Sequence, residues 1–361
     1  MSTKNRKKIL FTCADFGGGI GKMLRFVISQ CAIDFNEIVL LHRGRESTND
    51  VVPNYVKEII RPCDFHKPML FWRYKHIKEI HQVIKNERPS IVCCFGAEMS
   101  VMVTIAMFGI KNTKLVLAER GDPFTAPLIW KLLNKIAFRF ADNCVFQLEK
   151  QGRWYGQRVM NKSIIIPNAF IPTGVVSQFS GERKKKIVSV GRFVYEKRYE
   201  VLIQAFKNVH DLHHDYELVL YGDGDYKEKY EALIVELGLE NCVHMPGYTN
   251  NAMFAISDSS VFVLSSLYEG MPNTLIEAMA VGVPTVSTDC NPGGPDFLTN
   301  HGRRGLLVPL NDVNAMSAAI CRIIEDPILA KRLSNLGQEI IPLLAVDRIG
   351  KMWVDFFKSI L

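Results

Sequence analysis

Two carboxylates eight residues apart, Glu269 and Glu277, enclose the run Gly270-Met271-Pro272-Asn273-Thr274 within SSLYEGMPNTLIEAMAVGVPTVST, residues 265–288. The apolar residues Val261, Phe262, Val263 and Leu264 just ahead read as a buried strand, and Pro272 suits the first turn of a helix, where its missing N–H costs nothing. Glu269 then lies in the loop and Glu277 on the helix. Amides at a helix N-terminus attract phosphate, and carboxylates beside them accept hydrogen bonds from sugar hydroxyls. A sugar nucleotide carries both kinds of group. Taken alone, the pair also has a plainer account, in which Glu269 only complements the helix dipole and Glu277 is a solvated helix residue.

Fixed cations that a phosphate would want stand upstream. Gly191 and Arg192 follow the expected strand Ile187 to Val190, and Lys197 comes five residues later. Arginine offers a bidentate fork and lysine a point charge, and both act most strongly as a leaving diphosphate gains negative charge. The competing account is a solvated basic loop neutralised by Glu196 and Glu200. In the first half, Gly17-Gly18-Gly19-Ile20-Gly21 falls between a strand and a helix expected to start near Lys22. Glycine there lets a backbone approach a pyrophosphate without a Cβ in the way, although any tight strand-to-helix turn also favours it. Gly222-Asp223-Gly224 and Pro246-Gly247-Tyr248 read as strand-end turns. The nine histidines show no metal-ligand spacing, and His213-His214 looks like a surface helix end.

The stretch 265–288, together with Gly191-Arg192 and Lys197, resembles the retaining glycosyltransferases of family four, the group 1 type with the GT-B fold. Their donor-site pattern E-G-x-P-x-x-x-x-E is matched by Glu269, Gly270, Pro272 and Glu277. The resemblance is strong from about Lys184 to Pro309 and elsewhere is one of layout. It implies an α/β chain of two Rossmann-like parallel-sheet domains facing each other across a cleft. It also implies that Glu269 faces the transferred sugar, Glu277 the nucleotide ribose, and Arg192 and Lys197 the diphosphate. Glu269, Arg192 and Lys197 are then the catalytic residues; Gly18, Gly19, Met271, Asn273 and Thr274 complete the donor site, and Pro246 to Tyr248 border the base pocket. Where many relatives carry a first-domain histidine, this chain has Ala118-Glu119-Arg120-Gly121-Asp122-Pro123. A guanidinium cannot be a general base. Arg120 is therefore a candidate to hold a phosphate and Asp122 to orient an acceptor hydroxyl, unless the two form a structural ion pair.

Elements that alternate strand and helix must position these residues. Each half opens alike, with lysines, a short apolar strand and a loop: Ile9 to Cys13 before the glycines, and Ile187 to Val190 before Gly191. Further strands are expected near Glu37 to Leu41, Ile91 to Phe95, Leu115 to Ala118, Ser163 to Ile166, Glu217 to Tyr221, Cys242 to Met245, Val261 to Leu264, Pro284 to Ser287 and Gly305 to Val308. Helices are expected over Ile77 to Lys85, Leu128 to Phe140, Val201 to Val209, Lys227 to Leu237 and Val313 to Ile324. The pattern implies two parallel sheets that bind ligands beyond their carboxyl edges. The expected division is an acceptor-binding domain over 1–170, a donor-binding domain over 171–345, and a helix over 346–361 that returns to the first domain through Trp353, Phe356 and Phe357. Pro167 to Pro172, followed by Gly174 to Gly181, is the expected linker.

A chain of 361 residues exceeds what one core usually organises, and 48% apolar with 22% charged residues excludes a disordered protein. Nine cysteines without CxxC spacing read as reduced, mostly buried thiols of a cytoplasmic protein. Met1 to Leu10 does not resemble a signal peptide, and the longest apolar stretch, Val101 to Ile110, is too short to cross a bilayer. The net charge of +7 hides an asymmetry: residues 1–170 hold 26 Lys+Arg against 14 Asp+Glu, and residues 171–361 hold 18 against 23, so the halves carry +12 and −5. Two basic, aromatic segments could meet a membrane. They are Met69 to Lys75 and the helix Leu128 to Phe140, with Lys131, Lys135 and Arg139 beside Leu128, Leu132, Ile136 and Phe140. Packing on the domain core with snorkelling lysines fits that helix equally well. The expected activity is transfer of a sugar from a nucleotide diphosphate, UDP above all, to a lipid-linked or polysaccharide acceptor, without a cofactor or a DxD-held metal. Expected partners are the nucleotide sugar, the acceptor and an anionic membrane surface on the inner face of the plasma membrane, and not nucleic acid. An epimerase of the same fold and a silent sugar-nucleotide binding subunit are the alternatives.

Overall fold

Short runs of Ile, Val, Leu and Phe that are buried on both faces can only be satisfied inside a helix-covered parallel sheet, and two such sheets form. The computed structural model describes residues 7–44, 51–66, 68–172 and 181–361. The first sheet has seven strands: β1 (Lys8–Cys13), β2 (Glu37–His42), β3 (Val56–Ile60), β4 (Ile91–Phe95), β5 (Lys114–Ala118), β6 (Asn143–Phe146) and β7 (Ser163–Ile165). Their order is β3-β2-β1-β4-β5-β6-β7, all parallel, with Leu10 level with Val39 on one side and Val92 on the other. The second sheet has β8 (Lys184–Val190), β9 (Glu217–Tyr221), β10 (Val243–Gly247), β11 (Ser259–Leu264), β12 (Thr285–Thr288) and β13 (Leu306–Val308), in the order β10-β9-β8-β11-β12-β13. Ile187 is level with Leu218 and Val261.

The chain divides into two compact units, Met1–Ala169 with Val346–Leu361, and Phe170–Ala345. The first unit is thus discontinuous in sequence. Its last helix, Val346–Ser359, lies against the helix Gly18–Cys31. Trp353 stacks on Phe95 at 5.6 Å and Phe357 meets Phe11 edge-on at 5.8 Å, and all four rings are buried. In the second unit the helices Tyr199–His210 and Val313–Glu325 pack together over the sheet. Among the described residues no helix is long and apolar enough to cross a membrane.

Several expectations need correction. The helix after β1 starts at Gly18, not near Lys22, so the glycines form its first turn and Gly21 N–H already donates to Gly17 carbonyl at 2.7 Å. Pro272 is the residue capping the helix Asn273–Ala280 rather than a member of its first turn. Pro246 and Gly247 lie within β10, an edge strand, where a missing N–H is tolerated. The helix expected from Ile77 begins at Met69, directly after Pro68. β3 and β6 were not foreseen: β3 is an edge strand carrying Lys57 and Glu58, and β6 is four residues long. Of the expected linker, 173–180 lies outside the described residues. Phe170 N–H donates to Leu344 carbonyl at 2.8 Å, inside the second unit.

Candidate functional site

In a parallel sheet whose strand order reverses, the two loops at the reversal diverge to opposite faces and leave a crevice at the carboxyl edge. In the second sheet the reversal lies between β8 and β11. The loops leaving those strands carry Gly191 to Arg198 and Ser265 to Pro272. They bring Lys197 and Glu269 into an ion pair at Glu269 Oε1, with both side chains largely buried. Ser266 Oγ donates to that same carboxylate oxygen at 2.8 Å. Backbone bonds fix the approach: Ser265 Oγ donates to Lys197 carbonyl at 2.7 Å, Leu267 N–H to Glu196 carbonyl at 2.8 Å, and Glu269 N–H to Asn291 carbonyl, in the loop after β12, at 2.8 Å. Thr288 Oγ1 adds a bond to Ser266 carbonyl at 2.6 Å. Three loops are therefore stitched into one rigid rim.

Two glycines permit these close approaches. A Cβ on Gly294 would overlap the carbonyl oxygen of Gly270, and one on Gly222 would overlap that of Gly191. Gly222-Asp223-Gly224 accordingly serves as a strut. Gly191 N–H donates to Tyr221 carbonyl at 3.0 Å and Phe193 N–H to Asp223 carbonyl at 2.8 Å, which fixes the loop from which Arg192 projects. The Arg192 side chain is 75% exposed, with Glu196 at 3.9 Å, while Glu200 pairs with Arg198 at 2.7 Å. Glu196 and Glu200 thus do not jointly neutralise Arg192 and Lys197. Glu277 is only 7% exposed, so it is not a solvated helix residue. It lies on the helix Asn273–Ala280, which starts without a side-chain cap. Met271 and Pro272 are buried, Gly270, Asn273 and Thr274 are half-buried, and Tyr248 is exposed past the end of β10.

In the first unit the order reverses between β1 and β4, and Gly18 and Gly19 open the helix at that point. The loop after β5 is organised by Glu119, whose carboxylate accepts N–H bonds from Arg120 (3.0 Å) and Gly121 (2.9 Å) and the Tyr155 hydroxyl (2.8 Å). Burial raises the Glu119 carboxyl pKa despite these donors. Arg120 and Asp122 do not form the ion pair held open by the sequence. The Arg120 guanidinium is buried over the rings of Phe95 (5.3 Å) and Trp353 (4.9 Å) and donates to Ile166 carbonyl at 3.1 Å. Burial pulls its pKa down to about 10. Asp122 is half-buried, its Oδ1 accepts the Phe124 N–H at 2.8 Å, and burial raises its pKa. Ser265, Ser266, Asn291, Gly294, Glu119 and Tyr155 all shape these sites and were missed from sequence. Only the serine doublet Ser265-Ser266, which ends three residues before Glu269, offered a local signal.

Residues 175–340, nearly the whole second unit, match the family of glycosyl transferases group 1. In this region the chain is similar to that family. The chain is 28% identical over 344 residues to an uncharacterized glycosyltransferase of Methanocaldococcus jannaschii, covering 80% of this chain and 84% of that one. It is 21% identical to a Campylobacter jejuni protein named GalNAc-alpha-(1->4)-GalNAc-alpha-(1->3)-diNAcBac-PP-undecaprenol alpha-1,4-N-acetyl-D-galactosaminyltransferase, with 98% of this chain and 99% of that one covered. Among solved structures it is similar to Anabaena HepE in complex with UDP, at TM-score 0.79 and 18% identity, covering 98% of this chain and 100% of that one. This likeness shows the GT-B fold for this chain.

Proposed function

We propose that this chain is a retaining hexosyltransferase that moves a sugar from a UDP-sugar to a lipid-linked or surface-polysaccharide acceptor. The observation that carries the reading is the pairing of Lys197 with Glu269 at the reversal point of the second sheet. The bound UDP of the HepE structure and the undecaprenol-linked substrate in the name of the Campylobacter relative support the choice of donor and acceptor. Glu277 accepts the ribose hydroxyls, and Glu269 holds the transferred sugar. Arg192 and Lys197 face the diphosphate, where Gly270 to Thr274 present backbone at a helix start. As the bond from the sugar C1 to the β-phosphate oxygen breaks, the acceptor oxygen bonds C1 from the same face. Its proton passes to the departing phosphate, so configuration at C1 is kept. Fixed cations are most effective at this moment because charge on the diphosphate is growing.

The first unit takes the acceptor. Gly18 and Gly19 offer helix N-terminal amides to a phosphate of the donor, and Asp122 orients the acceptor hydroxyl. Arg120 acts as a buried cation behind that loop. An anionic membrane surface is the second partner. In the helix Leu128–Phe140 only Asn134, Ala137 and Phe138 are buried, while Leu128, Ile129, Leu132, Ile136 and Phe140 are exposed beside Lys135 and Arg139. Core packing thus accounts for the opposite stripe of this helix and not for the apolar one. Met69, Leu70, Phe71 and Tyr74 are likewise exposed on the helix Met69–Glu87. Apolar side chains next to lysines suit a lipid interface.

Incubation with UDP-, GDP- and ADP-sugars, with and without a lipid-diphosphate-linked acceptor, tests the proposal by mass spectrometry of nucleotide release and NMR of the new linkage. UDP release that depends on acceptor and gives a retained anomer is expected. An inverted product removes the retaining mechanism, donor interconversion without acceptor indicates an epimerase, and binding without turnover indicates a silent subunit.

A further inference from the structure

On the second unit His213 meets two metal-ligating side chains more than a hundred residues further along the chain, away from the Lys197 rim. We propose that His213, Cys321 and Glu325 form a binding site for Zn²⁺ or a similar borderline-soft divalent cation. Cys321 and Glu325 are four residues apart on the helix Val313–Glu325 and so share one face. His213 lies three residues beyond the helix Tyr199–His210, which packs along the other, and its backbone N–H still donates to Val209 carbonyl at 2.9 Å. Its imidazole meets Tyr216 edge-on at 6.0 Å, so the ring is oriented before any ion arrives. His213 Nε2 stands 2.9 Å from Glu325 Oε1, and the imidazole nitrogen, thiol sulfur and carboxylate oxygen all lie within 4.8 Å of one another. Zinc binds such donors at about 2.0–2.3 Å, which in a tetrahedron sets them roughly 3.3–3.7 Å apart. Small side-chain rotations reach that arrangement.

The donor set has mixed softness, with thiolate, imidazole and carboxylate, which suits zinc better than the hard cations magnesium or calcium. A surface depression lined by Asn208, Ser317, Cys321, Glu325 and Asp326 leaves room for water in the fourth position. Binding replaces the proton on the Cys321 sulfur by the metal and releases that proton to solvent. The ion would tie the end of one helix to the loop after the other. The helix Tyr199–His210 begins directly after Lys197 and Arg198, and its 12 residues place His213 on the order of 18 Å away at 1.5 Å per residue. The site is therefore a clasp behind the donor loop and not part of its chemistry.

Calorimetric titration of the full chain with Zn²⁺, and optical titration with Co²⁺, test this. One equivalent of zinc, a raised melting temperature and a thiolate-to-cobalt charge-transfer band are expected. Cys321→Ser should abolish the band, and His213→Ala and Glu325→Gln should each weaken zinc binding about 10-fold or more, at least the loss typical of a second-shell change. His213 and Glu325 are accessible enough for their variants to fold if Cys321→Ser does not. No saturable zinc binding by the unsubstituted chain, a band that survives Cys321→Ser, or unchanged affinity in both other variants would overturn the site.

Discussion

Glu277 is buried on the first turns of a helix that follows the Lys197–Glu269 pair in the rim, so its loss should be felt in binding before chemistry. Each charge-assisted bond to a ribose hydroxyl contributes roughly 1.5–3 kcal/mol. Glu277→Ala should therefore weaken UDP at least about 10-fold by calorimetry, and unchanged affinity would remove it from the site. Arg192 is exposed and weakly paired, and in the proposed function its effect belongs to the transition state. Arg192→Ala should lower kcat by about 10²-fold, whereas a raised KM with ordinary kcat would assign it to ground-state binding. In the proposed function Asp122 acts as a carboxylate, and burial raises its pKa. Activity should fall as pH drops through a value above the usual aspartate range, and that acid limb should disappear from the pH profile of Asp122→Asn. Glu269 and Glu277 were legible in sequence because their eight-residue spacing is local. The Asn291 carbonyl on the Glu269 amide and the rings enclosing Arg120 were not: each depends on residues distant in the chain.

The helix Leu128–Phe140 shows what periodicity can and cannot reveal. Its bounds were readable from composition, but its buried stripe is Asn134, Ala137 and Phe138, and no propensity rule selects that stripe over Leu128, Leu132 and Ile136. Strands such as β4 and β11 were legible because burial on both faces demands an unbroken apolar run; edge β3, with Lys57 and Glu58, has no such demand. If the exposed stripe meets lipid, each cation beside it adds about 1 kcal/mol of attraction to an anionic surface. Replacing Lys131, Lys135 and Arg139 together by Glu should abolish co-sedimentation with phosphatidylserine vesicles at low salt. The melting temperature should move little, because Lys135 and Arg139 are exposed and Lys131 is half-buried, and such charges contribute little to folding. Early melting of that variant would make the stripe structural, and an unsubstituted chain that ignores the vesicles would end the membrane reading.

At the scale of the molecule, the first half carries +12 and the second −5, and the proposed function assigns the basic half to phosphate-bearing acceptors and lipid. The two units also differ in how the chain builds them. Phe170–Ala345 is continuous, whereas the first unit is complete only when Val346–Leu361 joins it. Trp353 is central to that closure: it is fully buried, stacks on Phe95, lies tilted against Phe357 and covers the Arg120 guanidinium. Truncating a buried tryptophan to alanine costs about 3–5 kcal/mol, a large share of the ~5–15 kcal/mol that holds an ordinary domain folded. Here it would also strip a ring from a buried cation. Trp353→Ala should therefore lower the melting transition of the first unit by many degrees. The transition of the second unit, identified by the upward shift that UDP gives it through mass action, should stay in place. Differential scanning calorimetry with and without UDP separates the two, and a Trp353→Ala variant that lowers the UDP-sensitive transition instead would show that the last helix supports the donor unit.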